Sequence, residues 1–223
     1  MIRGVLFDMD GVLLDTERMS MNIFLTESKK RGYDNVMDLF LKILGTTHDV
    51  SCRMAQEMMG DDFPFEELFR TFIDGCRMAG ENGSLPIKTG VFECVEGLKK
   101  RGLKLALATS TRRTQVEKYF SHIPVLQTCF DAMVCGGEVP NGKPAPDIYL
   151  QAAKLLGLSK EECIGVEDSK NGLTSLTNAG ITSVMVPDII PYGKDFEPLV
   201  CHCLKDLTEL CPLVDRLNQM SKA

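Results

Sequence analysis

The chain lacks several features that mark common classes of protein. Its 25 Lys and Arg residues are outnumbered by 31 Asp and Glu residues, for a formal net charge of −6, so no cationic excess is available to neutralise a nucleic-acid backbone. No apolar run is long enough to span a bilayer. The N-terminus shows no basic and apolar signal segment. We therefore expect a cytoplasmic protein that binds neither nucleic acid nor membrane.

The cysteines also lack a familiar arrangement. Nine are scattered along the chain, and no two have the two-residue gap of a zinc knuckle or redox motif. Cys201 and Cys203 flank His202, which could in principle bind a soft metal. An alternating strand that buries both cysteines explains the same pattern and is the interpretation that we prefer. Reduced thiols in a cytoplasmic protein are the simplest reading of the set.

What the chain does contain is a regular alternation of elements. The 223 residues are 44% hydrophobic and 25% charged, as in an ordinary globular protein. From about Pro86 onward, short apolar strands alternate with helices, which indicates a parallel sheet covered on both faces. The stretch from Thr16 to Gly83 shows only helical periodicity, with Gly45 predicted to stop its second helix. We predict an α/β fold with a helical insert.

The first strand ends in two carboxylates. The apolar residues before Asp8 lead into Asp8, Met9, Asp10 and Gly11, and residues two apart in an extended chain point to the same side. Two close carboxylates repel each other unless a cation or a shared proton offsets the charge. Mg²⁺ accepts such oxygens together with water and substrate phosphate. The alternative is a strand followed by a solvated acidic turn.

Polar groups follow the other predicted strands as well. Hydroxyl residues follow the second strand, Lys143 precedes a helix, and Glu167 and Asp168 follow a later strand. Each alone has a plain structural explanation, such as a helix cap or a surface lysine. In parallel sheets, however, ligands bind at the carboxyl ends of the strands. Together these groups suit phosphoryl transfer.

Four segments resemble the motifs of the haloacid dehalogenase superfamily, in the order that the family has them. They are DMDGVLLDT at Asp8–Thr16, LALATST at Leu105–Thr111, GKPAPD at Gly142–Asp147 and GVEDSKNG at Gly165–Gly172. The subgroup that looks most similar is that of the β-phosphoglucomutase-like phosphatases. The resemblance implies a Rossmann-like core of residues 1–15 and 86–223, with a helical cap domain of residues 16–85 inserted; we call residues 16–85 the cap.

The resemblance implies the catalytic roles. Asp8 would attack phosphorus to form an aspartyl-phosphate, and Asp10 would protonate the leaving oxygen and then deprotonate water. Thr109 would hydrogen-bond the transferring phosphoryl group, and Lys143 would neutralise charge on Asp8 and the phosphate. Because a halide leaves without a proton and an alkoxide does not, Asp10 argues for a phosphate ester and against a haloacid.

The resemblance also implies a cofactor. Mg²⁺ would be held by Asp8, by the main-chain carbonyl of Asp10, and by Asp168 together with Glu167. The partner would be a small phosphorylated metabolite, for which we expect a sugar phosphate, and we expect the protein to be a monomer.

Substrate contacts are assigned to residues near the motifs and in the cap. Ser110 and Thr111 follow the second strand, and Arg112 comes next, where it could contact the far end of the substrate or simply be solvated. In the cap, His48 and Arg53 could form a cationic site for a second phosphate. A loop histidine without a function is the alternative for His48.

The reaction outcome depends on one departure from the family pattern. Mutases of the subgroup carry a histidine where this chain has Ser20, and a mutase must protect its phosphoenzyme from water. We therefore expect hydrolysis, with a phosphosugar mutase as the alternative. A non-catalytic binding protein is a third possibility, against which the complete motif set argues.

Overall fold

The core of the fold is a single parallel sheet. A computed structural model describes residues 1–44, Thr46 and 48–221. Within them, six strands lie in the order β3-β2-β1-β4-β5-β6, and every neighbouring pair is parallel. Their bounds are β1 Gly4–Phe7, β2 Lys104–Ala108, β3 Ala132–Val134, β4 Cys163–Glu167, β5 Thr182–Met185 and β6 His202–Cys203. The predicted α/β class with a Rossmann-like sheet is confirmed.

Helices fill the remainder and cover both faces of the sheet. Their bounds are α1 Thr16–Lys30, α2 Met37–Ile43, α3 His48–Met59, α4 Phe65–Glu81, α5 Val91–Lys100, α6 Arg113–Phe120, α7 Pro124–Cys129, α8 Asp147–Leu156, α9 Lys170–Ala179 and α10 Leu210–Met220. None of these helices is long and apolar enough to cross a membrane.

The central strands β1 and β4 are buried along their whole length. In β1, Val5 and Phe7 join one core cluster with residues of α5, α6 and α10, whereas Leu6 joins a second cluster with residues of α8 and α9. All four residues of β1 are buried. This two-sided burial is typical of a strand in the middle of a parallel sheet, and it fixes the position at which β1 ends.

The cap has an apolar cluster of its own. Phe24 of α1, Phe40 of α2 and Leu68 of α4 are buried at its centre. Helix α4 also approaches the sheet domain closely, since a side chain on Gly80 would overlap the ring of Tyr119 in α6. The separate cluster agrees with an inserted helical unit, although the exact domain boundaries stay a prediction.

The chain enters and leaves the cap side by side. The amide of Asp15 donates to the carbonyl of Pro86 over 2.8 Å, and the amide of Lys88 donates to the carbonyl of Leu13 over 3.0 Å. The two crossings therefore form one hydrogen-bonded connection between the cap and the sheet.

Two local features differ from what the sequence predicts, and a third prediction is not tested. Helix α7 was not predicted, because its six residues are too short to show a helical period. The edge strand β6 has only two residues, and there Cys201 and Cys203 are exposed while His202 is half-buried. The expectation that this strand buries both cysteines is wrong. Gly45, the predicted stop of the second helix, lies outside the described residues; α2 ends at Ile43.

Candidate active site

Strand β1 delivers Asp8 to the carboxyl edge of the sheet. The amide of Asp8 donates to the carbonyl of Val166 over 3.0 Å, which extends the parallel pairing one residue beyond β1. The chain then turns at Gly11, whose φ is +81°. A side chain on Gly11 would overlap the carboxylate of Asp168. Glycine is therefore required both by the backbone conformation and by the close approach of Asp168.

Asp10 is held between two threonines. Its Oδ1 accepts a hydrogen bond from the hydroxyl of Thr16 over 2.7 Å, and its Oδ2 accepts one from the hydroxyl of Thr111 over 2.8 Å. Thr16 begins the cap and Thr111 follows β2. These bonds orient the Asp10 carboxylate toward the junction of the cap and the sheet.

Lys143 bridges two buried carboxylates. Its Nζ lies 2.5 Å from Asp8 Oδ1 and 2.7 Å from Glu167 Oε1, and 7% of its side chain is exposed. The ammonium also lies 5.0 Å from the centre of the Tyr149 ring, a favourable distance for a cation–π contact. One cation therefore faces two anions in a site from which water is largely excluded.

Burial and charge shift the pKa values of these groups in different directions. Burial raises the pKa of Asp8 to about 7, opposed by Lys143 and reinforced by the Glu167 carboxylate. Burial, and then the carboxylate of Glu17, holds the pKa of Asp168 well above its usual range. Burial alone would lower the pKa of Lys143, but Asp8 and Glu167 outweigh it and raise that pKa. The site has more negative charge than its lysine can neutralise.

Glu167 is saturated with hydrogen bonds. Oε1 accepts from Lys143 and from the hydroxyl of Tyr149 over 2.8 Å, and Oε2 accepts from the amides of Asp168 and Ser169 and from the Ser169 hydroxyl over 3.0–3.1 Å. Although burial would raise the pKa of Glu167, Lys143 outweighs it and the pKa is lowered. The Glu167 carboxylate holds Lys143 in place. Metal binding by Glu167 stays a prediction.

The carboxylates fit a hard divalent cation. Asp8, Glu167 and Asp168 are buried, and each offers an oxygen within 4.8 Å of those of the other two. Oxygen donors in an electronegative pocket match the preference of Mg²⁺. The Asp10 side chain is not part of this set among the described residues, and metal binding by its main-chain carbonyl stays a prediction.

The hydroxyl residues after β2 have different surroundings. Thr109 is fully buried, and its Oγ1 accepts from the amide of Thr111 over 3.0 Å. Ser110 is exposed and lines a cavity of about 170 Å³ together with Asp8, Lys143 and Asp168. A phosphoryl group placed in this cavity would meet the carboxylates, the ammonium and the serine.

A larger cavity of about 510 Å³ lies between the cap and the sheet domain. Asp10 and Thr111 belong to its wall on the sheet side. On the cap side it is lined mainly by apolar and aromatic residues: Phe40, Ile43, Leu44, Phe69, Phe72 and Ile73. Ser20 and Arg77 are polar members of the lining. The larger cavity, which we call the cap cavity, meets the smaller one at Asp10.

Three predicted substrate-binding residues lie elsewhere. The Nε2 of His48 is 3.1 Å from Glu66 Oε1. Arg53 and Arg112 are exposed, and Arg112 precedes the first residue of α6. Among the described residues, none of the three lines the two cavities. Their roles in substrate binding stay predictions.

Two acidic residues of the site were missed by the sequence reasoning. Glu17 lines both cavities, and burial together with the Asp10 carboxylate raises its pKa to about 8. An acid in the first turn of a helix is so common that it gave no signal. The buried Asp188 accepts from Lys88 over 2.6 Å. It follows β5, so the rule of polar groups after strands could have identified it.

Comparisons with known proteins show which proteins this chain resembles. Residues 5–186 match the family described as haloacid dehalogenase-like hydrolase. The phosphorylated carbohydrates phosphatase of Thermotoga maritima is 32% identical over 205 residues, which cover 92% of this chain and 88% of that protein. The crystal structure of CbbY from Rhodobacter sphaeroides in complex with phosphate has a TM-score of 0.72 at 25% identity, covering 94% and 96% of the two chains.

A third comparison concerns the fold alone. The crystal structure of β-phosphoglucomutase from Clostridium difficile superimposes with a TM-score of 0.72, covering 100% of both chains, at 21% identity. The same architecture thus occurs with phosphatases and with mutases, so the fold does not distinguish the two reactions.

Proposed function

Because this chain is a phosphatase of the haloacid dehalogenase-like hydrolase family, we propose that it is Mg²⁺-dependent and hydrolyses a small phosphorylated metabolite through an aspartyl-phosphate. A sugar phosphate is the substrate class that we expect, in line with the name of the Thermotoga relative. The observation that supports this most strongly is the buried contact of Lys143 with both Asp8 and Glu167.

Asp8 is the proposed nucleophile. One of its carboxylate oxygens attacks phosphorus, the bond to the leaving oxygen breaks, and the phosphoryl group is transferred to Asp8. Lys143 contacts Oδ1 of Asp8, so its charge is close to the carboxylate before the attack and to the phosphoryl oxygens after it. Thr109 and Ser110 provide hydrogen-bond donors beside this group.

Asp10 is the proposed acid and base. It gives a proton to the leaving oxygen, and the leaving group departs as an alcohol. Asp10 then removes a proton from water, which attacks the aspartyl-phosphate and releases inorganic phosphate, so that Asp8 is regenerated. The hydrogen bonds from Thr16 and Thr111 keep the Asp10 carboxylate in position for both transfers.

The metal is proposed on the chemistry of its donors. Asp8, Asp168 and the Asp10 carbonyl would hold Mg²⁺, with Glu167 acting on the site through Lys143. When bound, the ion offsets negative charge on the phosphoryl oxygens. Since burial and neighbouring carboxylates raise the pKa values of Asp8 and Asp168, the pocket without a cation is short of positive charge.

Hydrolysis is proposed over mutase chemistry because of Ser20. This residue lines the cap cavity, and its Oγ lies 3.1 Å from Cys76 Sγ. A serine held by a cysteine offers no imidazole to shuttle a proton at this position. Nothing comparable to the mutase histidine stands there to favour return of the phosphoryl group to the substrate.

A product assay separates the two reactions. The protein is incubated with a hexose 1-phosphate and Mg²⁺, and inorganic phosphate and hexose 6-phosphate are both measured. We expect phosphate to accumulate and the isomer to be absent, and a panel of phosphorylated metabolites then ranks the substrates. Rapid formation of hexose 6-phosphate with little free phosphate would show that the protein is a mutase and would overturn this proposal.

The assembly and location are part of the same proposal. The acids, hydroxyls and lysine of the proposed site all belong to one chain, so a monomer is sufficient for the reaction. Free thiols, as the nine cysteines are here, are typical of the reducing cytoplasm. Gel filtration with light scattering measures the assembly directly.

A further inference from the structure

The cap carries a cluster of soft and borderline metal ligands outside the active site. His48 and Cys52 are four residues apart in the first turns of α3, and Glu66 lies in the first turn of α4. Side chains at this spacing share one face of a helix. His48 Nε2, Cys52 Sγ and Glu66 Oε1 therefore meet at one point, where one ligand atom of each residue lies within 4.8 Å of the other two.

The spacing of the three ligand atoms is close to that of a zinc site. Tetrahedral bonds of about 2.0 to 2.3 Å from Zn²⁺ to N, O and S set the ligand atoms about 3.3 to 3.6 Å apart. Here Sγ lies 3.7 Å from Nε2 and 3.1 Å from Oε1, and Nε2 lies 3.1 Å from Oε1. Sγ also lies 3.8 Å from Nδ1, so the exposed ring of His48 must rotate to direct Nε2 at an ion shared with Cys52 and Glu66.

A carboxylate lies near the second ring nitrogen of the histidine. The Nδ1 of His48 is 3.7 Å from a carboxylate oxygen of the exposed Asp49, which is beyond hydrogen-bond distance. A change of the Asp49 rotamer would bring the two within reach, and a zinc-bound histidine commonly donates its other N–H to such a group. The ring also packs edge-on against Phe69, with centroids 4.6 Å apart. Because His48 and Glu66 are partly exposed, water can reach a fourth position.

We propose that His48, Cys52 and Glu66 form a zinc-binding site that ties the start of α3 to the start of α4. An imidazole and a thiolate favour Zn²⁺ over Mg²⁺, which prefers oxygen ligands alone. The thiol of Cys52 loses its proton to solvent when the ion binds, so that one proton is released per ion. The site has the three protein ligands and one open position that are common for exchangeable zinc.

The position of the site suggests its effect. Ser51 precedes Cys52, and both Ser51 and Phe69 line the cap cavity. An ion bound to Cys52 and Glu66 would hold this wall of the cavity in place. The proposal does not depend on the reaction that the active site performs, because it concerns the binding of a metal by the cap.

Cobalt spectroscopy tests the proposal with the full-length protein. Mg²⁺ is kept in excess so that the active-site carboxylates are occupied, and Co²⁺ is added as a probe for zinc. We expect a thiolate-to-cobalt charge-transfer band that saturates at one ion per chain and disappears when Zn²⁺ is added. Cys52→Ala should abolish the band. Glu66→Gln removes a proposed ligand and should weaken zinc binding by at least about 10-fold, the lower end of the loss found even for outer partners of a metal site.

The matched control is the other Cys and His segment. The double variant Cys201→Ser/Cys203→Ser removes two exposed thiols that flank His202 and should leave the band unchanged. Thermal unfolding without metal verifies that each variant folds. A band that survives Cys52→Ala and is lost in the double variant, or no band in the wild-type protein, would overturn the proposal.

Discussion

The edge of the sheet and the cap use charged groups in opposite ways. At the edge, the buried ammonium of Lys143 lies 2.5 Å from the carboxylate of Asp8 and 2.7 Å from that of Glu167. In the cap, polar groups such as His48 and Glu66 pair at the surface, while Phe40 and Phe72 line the cavity. Both regions border the same space. The sheet edge presents charged groups to it, and the cap presents mainly apolar surface together with Glu17 and Arg77.

This difference separates the residues that carry out the reaction from those that select the substrate. Charges at the sheet edge are held by strands that are buried on both faces, so their geometry can be kept to fractions of an ångström. The cap offers mainly shape and apolar area, which discriminate substrates by only about 10-fold to 200-fold per methylene group. Changes at the edge should therefore reduce the rate, and changes in the cap should alter the choice of substrate.

The largest effect is expected at Asp8. Asp8→Asn removes the nucleophile and keeps the side-chain volume, so kcat should fall by at least about 10⁴-fold. The kcat of both proteins is measured from the hydrolysis of p-nitrophenyl phosphate with Mg²⁺. Asp61→Asn, at an exposed aspartate of the cap, is the matched control and should retain full activity. Unchanged turnover by Asp8→Asn would reject the proposed nucleophile.

A smaller loss of rate, combined with a loss of stability, is expected at Lys143. Lys143→Met leaves two buried carboxylates without their cation, which should lower the free energy of unfolding by about 3 to 5 kcal/mol and kcat by about 10² to 10³-fold. Urea denaturation and steady-state kinetics measure the two effects.

Two further variants sharpen the result at Lys143. Adding Glu167→Gln removes one of the two carboxylates that Lys143→Met leaves unpaired. This double variant should regain part of the stability without regaining activity. Lys154→Met, at an exposed position of α8, controls for the loss of a lysine. If Lys143→Met were as stable as the wild-type protein, the ion pairs of Lys143 would not contribute to stability as proposed.

The smallest effect is expected in the cap. Phe72→Ala removes an aromatic wall of the cap cavity and should raise KM by about 10-fold for a substrate with a large leaving group, since burying such a side chain contributes about 1.5 to 3 kcal/mol. For acetyl phosphate, whose leaving group is small, KM should not change. Phe92→Ala, at a partly exposed position of α5, is the control. An equal rise in KM for both substrates would indicate that Phe72→Ala disturbs folding and not the recognition of the leaving group.

The residues at the sheet edge could be predicted from local patterns because two simple rules coincide there. Each strand of the core is an apolar run, and a polar residue directly after it must stand at the carboxyl edge. Asp8, Thr109 and Asp168 follow both rules. Short elements escaped the same reasoning: α7 has six residues and β6 has two, too few for any period to be recognised.

The cap was predicted less well, and His48 shows why. The resemblance placed His48 in a loop near a second phosphate of the substrate, whereas the residue begins α3 and its ring lies against Glu66, which is 18 residues away. A contact of His48 with substrate stays a prediction. Helical periodicity identifies which face of a helix is buried, yet it does not give the rotation of one cap helix against the next. Contacts between side chains of different helices depend on that rotation.

The amino-acid sequence by itself determined the parallel sheet, the order of the four motifs and the residues that stand at the strand ends, because alternation and apolar runs are local properties. Only the tertiary structure decided that Glu167 is saturated by Lys143, Tyr149 and Ser169, that Glu17 lines both cavities, and that three phenylalanines of the cap line the cap cavity. These facts depend on distances between segments far apart in the chain, and such distances are set by packing.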